Sequence, residues 1–346
     1  MEALDEAEFC FSQLNTSCRK TMHSHMEATF IYTVLSCITL LTVVLNLAVL
    51  AFTTVNNTFL HLQHVTVCSL LIFSHFRQLL TTTNLLLLSL AVTDFLVGLL
   101  QMPAEILLFQ GCWILGDLIC AVIYFLSFLT INVSVGNMVL ISVDRYMAIC
   151  DPMFYSTKVT LKRVQLCVCL CWIFSAVHGT WILRNFLKQP DRYKVCHGEC
   201  IVISSYVEGI VDLVVTFLGP ILVITLLYMR VFVVAVSQAR AMHSHIATVK
   251  LQRSKAKRSE MKAARTLGVV VVVFLLCSCP YYCFAIAAVN NFVGASSVSI
   301  ESWLLYFNSC LNPVIYVFFY PWFRKSIKNI VTLQILQSGS REANLM

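Results

Sequence analysis

The stretch VEGIVDLVVTFLGP, residues 207–220, sets a carboxylate inside a hydrophobic helix. Asp212 is flanked by Ile210, Val211, Leu213, Val214 and Val215. An unpaired charge in apolar surroundings is costly, so such a side chain persists where it meets a cation. Facing lipid it would cost roughly 2.5–3.5 kcal/mol on insertion scales, so Asp212 is expected to point inward. Glu208 lies one helical turn before it on the same face, and Thr216 one turn after. Two carboxylates on one stripe would hold the two ends of a diamine, or one cation through several contacts. Aromatic faces attract an ammonium as well, each by about 0.5–2 kcal/mol. Tyr124, Phe128, Tyr281, Tyr282, Trp303 and Tyr306 supply such faces from three apolar runs.

Asp94, in NLLLLSLAVTDFLVG, is the second acid well inside an apolar run, and no Lys or Arg is found there. Asn46, Ser134, Asn308 and Asn312 offer it polar company from other runs. The run at 302–319 lacks a lysine, which argues against a retinal Schiff base. No nucleophile–base pair, metal-ligand spacing or phosphate loop appears, so the chain does not read as an enzyme. CVCLC at 167–171 looks metal-like, but helical i, i+2 positions point to different faces, so these cysteines read as packing groups.

These residues must be positioned by membrane-spanning helices. Of 346 residues, 59% are hydrophobic and 12% charged. Seven predominantly apolar runs have spanning length: about 29–51, 84–107, 118–143, 164–183, 203–230, 266–289 and 302–319. The expected fold is an all-α membrane protein, a seven-transmembrane helix bundle with a short amphipathic helix after span seven. Residues 1–28 would form an extracellular N-terminus, 29–319 the bundle, and 320–346 a cytoplasmic helix and tail.

Basic residues orient it. Arg240, Lys250, Arg253, Lys255, Lys257, Arg258, Lys262 and Arg265 fall between spans five and six, and Arg324, Lys325 and Lys328 follow span seven. Those segments face the cytoplasm, which accounts for the net charge of +7 without nucleic acid. The N-terminus, with no signal peptide and several acids, is then outside, where Asn15-Thr16-Ser17 is a glycosylation sequon. Cys10, Cys18, Cys112, Cys120, Cys196 and Cys200 share that oxidising side, where disulfides form.

Several motifs carry a resemblance. DRY at 144–146 ends span three, NPVIY at 312–316 ends span seven, and Pro220 and Pro280 sit in spans five and six. Together they resemble a rhodopsin-like G-protein-coupled receptor over about 29–330. NSCLNPVIYVFFYPWFRK, TNLLLLSLAVTDF and GDLIC narrow the resemblance to the trace amine-associated receptors, in particular their fish-type olfactory branch.

That resemblance implies a plasma-membrane olfactory receptor for protonated amines, coupled to a stimulatory heterotrimeric G protein that raises cyclic AMP. It implies a sodium ion at Asp94, with Asn46, Ser134, Asn308, Asn312 and Tyr316 in its activation relay. Asp144, Arg145, Tyr146 and Glu260 would form the G-protein switch. It also implies the disulfides Cys120–Cys200 and Cys18–Cys196, with Cys10 competing for the second. Aminergic relatives carry an aspartate seven residues after the counterpart of Cys120. Here Ser127 stands in that place, and Asp212 becomes the ammonium anchor. No cofactor is implied beyond the ion.

The chain departs from the pattern twice. CSCP at 277–280 has Ser278 where relatives carry a tryptophan, leaving Phe274 or Tyr282 to transmit activation. Residues 54–73 read as an atypical insertion between spans one and two, either a retained intron or a partly apolar loop on the membrane. Rival readings are a biogenic amine receptor outside olfaction, a poorly functional receptor product, and a cation transporter or channel. The last lacks internal repeats and a continuous polar path.

Overall fold

The structure is a computed structural model. It describes residues 9–11, 16–18, 25–55, 81–109, 112–189, 194, 196–202, 205–244, 268–269, 272–284, 286–287 and 299–319. The insertion lies outside these residues apart from Thr54 and Val55, which end the first helix. So do Asn15, Glu260 and the amphipathic helix expected after span seven.

The described residues form a helical membrane bundle. Span one is His25–Val55, span three Gly116–Cys150, span four Leu161–Lys188 and span seven Ser299–Phe319. Span two runs Thr82–Leu96 and Met102–Phe109 around a π-helical turn, Val97–Gln101. Span five runs Tyr206–Asp212 and Gly219–Ser244 around a second, Leu213–Leu218. Spans one to five hold helices long and apolar enough to cross a membrane, and Val272–Phe284 is the shorter apolar helix of span six. Backbone groups in lipid must be satisfied within the segment, which is why these runs become helices.

Both π turns share a cause. A proline has no N–H for the carbonyl four residues back, and its ring crowds that carbonyl. For Pro103 that carbonyl belongs to Leu99, and for Pro220 to Thr216. Each lies inside the adjoining π turn. The regular 3.6-residue helix expected for span five is therefore interrupted directly after Asp212.

Three apolar clusters join the spans. Val49, Leu86, Leu90, Ile141 and Val168 lock spans one to four. Val135, Met138, Ile224, Phe274 and Ile315 lock spans three, five, six and seven. Leu35, Val97, Met102, Trp303 and Tyr306 lock spans one, two and seven. Phe30, Leu226 and Leu276 remain exposed on the outer faces, where a bilayer covers them.

One end of the bundle is capped covalently. Cys120 pairs with Cys200, Cys18 with Cys196, and Cys10 with Cys112. Cys10 therefore does not compete for Cys196; its partner comes from the loop between spans two and three. Backbone bonds knit the same pieces: His197 N donates to Thr16 O at 2.7 Å, Cys18 N to His197 O at 3.0 Å, and Trp113 N to Gly198 O at 2.8 Å. Gly198 adopts φ +96°, and a Cβ there would lie 2.8 Å from the Phe11 ring, so both conformation and space require glycine.

Candidate functional site

Below the cap, span five brings Asp212 toward span four. Its Oδ1 lies 4.0 Å from His178 Nε2, beyond hydrogen-bond length. Neither atom has a hydrogen-bond partner among the described residues, although both are buried. His178 Nδ1 stands 3.4 Å from Asn132 Nδ2 of span three. Thr216 does not bond the Asp212 carboxylate. Its hydroxyl donates to the Asp212 carbonyl at 2.5 Å and sits 2.8 Å from the Tyr282 hydroxyl. Tyr282 stacks on Phe217 at 4.3 Å and meets Tyr281 edge-on at 5.2 Å.

Glu208 is not positioned as the stripe implied. It is the third residue of a helix that starts at Tyr206, and its carboxylate reaches back to the Ser205 N–H at 2.8 Å in a capping box. Its other oxygen accepts from Asn185 at 3.1 Å and pairs with Arg184 at 3.0 Å. The side chain is fully buried and satisfied by span four. Helical spacing gave its face, but not the cap or the arginine.

The residues of the expected aromatic set each have partners of their own. Ser127, in the place of the missing counter-ion, shares a 2.5 Å hydrogen bond with Tyr306. Tyr306 also donates to Glu105 at 3.4 Å. Glu105 lies in the last turns of span two, where the sequence reading gave no acid a role. Tyr124 donates to the Cys200 carbonyl at 3.4 Å and joins the packing around Trp113 and Phe186. Phe128 lies by span four: a Cβ added at Gly179 would meet its Cβ at 3.3 Å. Trp303 packs with residues of spans one and two, and its indole N–H has no hydrogen-bond partner among the described residues.

Deeper in the bundle, Asp94 is fully buried and accepts from Asn312 Nδ2 at 2.9 Å, with Ser309 beside it. Asn46 donates to the carbonyls of Thr42 and Ser309, each at 3.0 Å. Oxygens of Asp94, Asn46, Asn308 and Asn312 lack hydrogen-bond partners among the described residues. Hard cations prefer such oxygen ligands, so the donor set fits sodium. Ser134, on span three, is buried, and for Tyr316 the structure describes only its helical backbone.

At the far end, Asp144 accepts from Arg145 Nε at 3.1 Å, from Thr83 at 3.1 Å and from Tyr155 at 3.0 Å. Arg145 Nη2 donates to both Asp144 and Thr83. Tyr146 packs with Ile149 and Val231. Thr83 and Tyr155 escaped the sequence reading because they lie on span two and on the short helix Pro152–Lys158. In the span-six motif, Ser278 is fully buried with a hydroxyl that has no described partner, while Phe274 fills the cluster joining four spans.

This bundle, with an inner carboxylate on span two and an arginine clasped at the end of span three, has the layout of a seven-helix receptor. A profile of the family described as 7 transmembrane receptor (rhodopsin family) matches residues 65–316. Among curated relatives, trace amine-associated receptor 13c of Danio rerio is 32% identical, over 99% of this chain and 97% of the relative. Trace amine-associated receptor 9 of Rattus norvegicus is 33% identical over 98% and 97%. Trace amine-associated receptor 1 of Mus musculus is 33% identical over 97% and 98%. The chain belongs to the rhodopsin family of seven-transmembrane receptors, and within it to the trace amine-associated receptors. It is a multi-pass plasma-membrane receptor that works with a heterotrimeric G protein, and not an enzyme.

Proposed function

We propose that this receptor binds a protonated amine through Asp212 and signals through a stimulatory G protein to raise cyclic AMP, in an olfactory role. The names of its relatives support the amine. The observation that carries the anchor is the carboxylate itself: Asp212 Oδ1 is buried and makes no hydrogen bond among the described residues. The one ion-pair contact given for it among the described residues is a long one, to the His178 ring at 4.0 Å. An ammonium donates three strong hydrogen bonds, and a charge-assisted pair in this low-dielectric setting would satisfy the orphan oxygen. Ser127 offers no charge on span three.

In this reading the N-terminus and the disulfide-bearing end face outward, so the ligand arrives beneath the cap. Ligand contact at span five passes to span six through Thr216 and Tyr282, the step for which the missing tryptophan is otherwise needed. A sodium ion beside Asp94, held with Asn46, Asn308, Asn312 and Ser134, stabilises the resting bundle. Exchanging sodium for a bulky organic cation then raises agonist affinity, and Asp94→Asn abolishes that effect.

The test is amine-evoked cyclic AMP in cells expressing the full chain and its Asp212→Asn form at matched surface level. Loss of at least about a hundredfold in potency, or about 2.7 kcal/mol, is expected. Equal responses from the two forms would sink the anchor. A response to amines through a different second messenger would replace the coupling and keep the anchor.

A further inference from the structure

Asn132, His178 and Asp212 make a polar row across spans three, four and five. Asn132 and His178 are both buried. Asn132 Nδ2 lies 2.7 Å from the Phe128 carbonyl. Only the NH2 end of an amide can bond a carbonyl, so chemistry fixes which way the amide points. The same nitrogen stands 3.4 Å from His178 Nδ1. Its second hydrogen is therefore offered to the ring, Nδ1 accepts, and the neutral imidazole carries its proton on Nε2. Phe174 and Trp181 flank that ring, with centroids at 6.1 and 6.2 Å. Gly179, the next residue along, lets span four close on Phe128 of span three.

The free ends of the row face each other unbonded. His178 Nε2–H is a buried donor and Asp212 Oδ1 a buried acceptor, and neither has a hydrogen-bond partner among the described residues. At 4.0 Å they do not bond one another. An ammonium only donates, so an amine by itself satisfies the carboxylate and leaves the imidazole N–H orphaned. A hydroxyl accepts as well. Thr216, one turn further along span five, does not supply it, because its hydroxyl is engaged with the Asp212 carbonyl and with Tyr282. The Asp212 side chain keeps 21% exposure, so the gap is not sealed.

We propose that His178 Nε2 reads a ligand hydroxyl, and that the ligand is a β-hydroxy amine with its ammonium on Asp212 and its hydroxyl accepting from His178. This rests on the Asp212 reading above. Nitrogen and oxygen on adjacent gauche carbons stand about one hydrogen-bond length apart, so one small ligand addresses both atoms. Asn132 is a positioning residue: it holds the tautomer that donates. A buried donor discriminates against the analogue that lacks the hydroxyl, because the N–H is then left unpaired. The donor stands to one side of the carboxylate, so one hand of the carbinol is favoured.

The experiment measures thermal stabilisation of the full-length receptor, purified in detergent, by amines in matched sets. Each set holds a deoxy amine and both enantiomers of its β-hydroxy form, with phenyl-substituted and straight-chain members. This readout needs no G protein. In at least one set, one enantiomer should bind at least about tenfold tighter than the deoxy amine. His178→Phe, which keeps a flat ring between Phe174 and Trp181, should erase that preference and spare deoxy-amine binding. His178→Gln, which restores an N–H donor, should recover part of it. Asn132→Leu should weaken the preference without moving deoxy-amine binding, and it serves as the test if His178→Phe folds poorly. No hydroxyl preference in any set, or a preference unchanged in His178→Phe, overturns the proposal. Tighter deoxy-amine binding in His178→Phe also overturns it, since the imidazole would then be the carboxylate's own partner. Asp212→Asn with undiminished deoxy-amine binding overturns the anchor instead.

Discussion

His178 Nε2 stands 4.0 Å from Asp212 Oδ1, across the contact between spans four and five, and neither atom makes a hydrogen bond among the described residues. The proposed anchor therefore faces an imidazole that stands too far away to bond it. A lysine at this position would carry a permanent tethered cation within reach of the carboxylate. His178→Lys should lower amine potency by about ten- to a hundredfold, roughly 1.4–2.7 kcal/mol, with surface expression retained. Unchanged potency would mean that the ammonium does not use Asp212.

The Thr216–Tyr282 bond is a polar link between spans five and six. Removing one partner of such a bond costs about 0.5–1.5 kcal/mol. Tyr282→Phe and Thr216→Val should each reduce the maximal response, and the double variant should do no worse than the stronger single one. Additive losses in that cycle would show that the two hydroxyls act separately.

Arg145 is restrained by more than its neighbouring aspartate, since Thr83 and Tyr155 both bond Asp144. Tyr155→Phe removes a donor to Asp144 and leaves the ring. Ligand-free signalling should rise severalfold, and Tyr155→Phe combined with Thr83→Val should raise it further. Basal activity at the native level in both would mean that the Asp144–Arg145 pair alone sets the resting state.

How much of this was legible in the sequence depended on separation and chemistry. Asp94 and Asn312 stood out because a charged or amide side chain in an apolar run is conspicuous, and they do meet. Asp212 stood out for the same reason. Glu105 did not, because it lies near the end of its run and its phenol partner is 201 residues away. The arginine that neutralises Glu208 lies on another span, beyond any local pattern. Helical periodicity also hid the π turns, although Pro103 and Pro220 marked where the regular ladder must fail.

The three disulfides divide the labour of the cap. Cys120–Cys200 ties span three to the loop above it, whereas Cys10–Cys112 ties the N-terminal segment to the loop after span two. A paired Cys10→Ser and Cys112→Ser variant should keep amine responses and lose thermal stability, by about 2–4 kcal/mol in the chain-entropy view. Cys120→Ser should remove surface expression. An unaltered melting curve for the paired variant would show that the backbone bonds alone hold the segment.

Because both N-terminal cysteines are joined to loops, residues 10–11 and 16–18 belong to the roof of the receptor rather than to a leader hanging from it. A reporter tag placed ahead of Cys10 leaves that roof whole. A truncation running past Cys18 would strip two sulfurs of their mates, leaving Cys112 and Cys196 as bare thiols. With that end outside the cell, as proposed above, such thiols couple with whatever thiol is nearest, including those of a second trimmed receptor. Dimers seen only after N-terminal trimming would then be products of the knife, not of the native membrane.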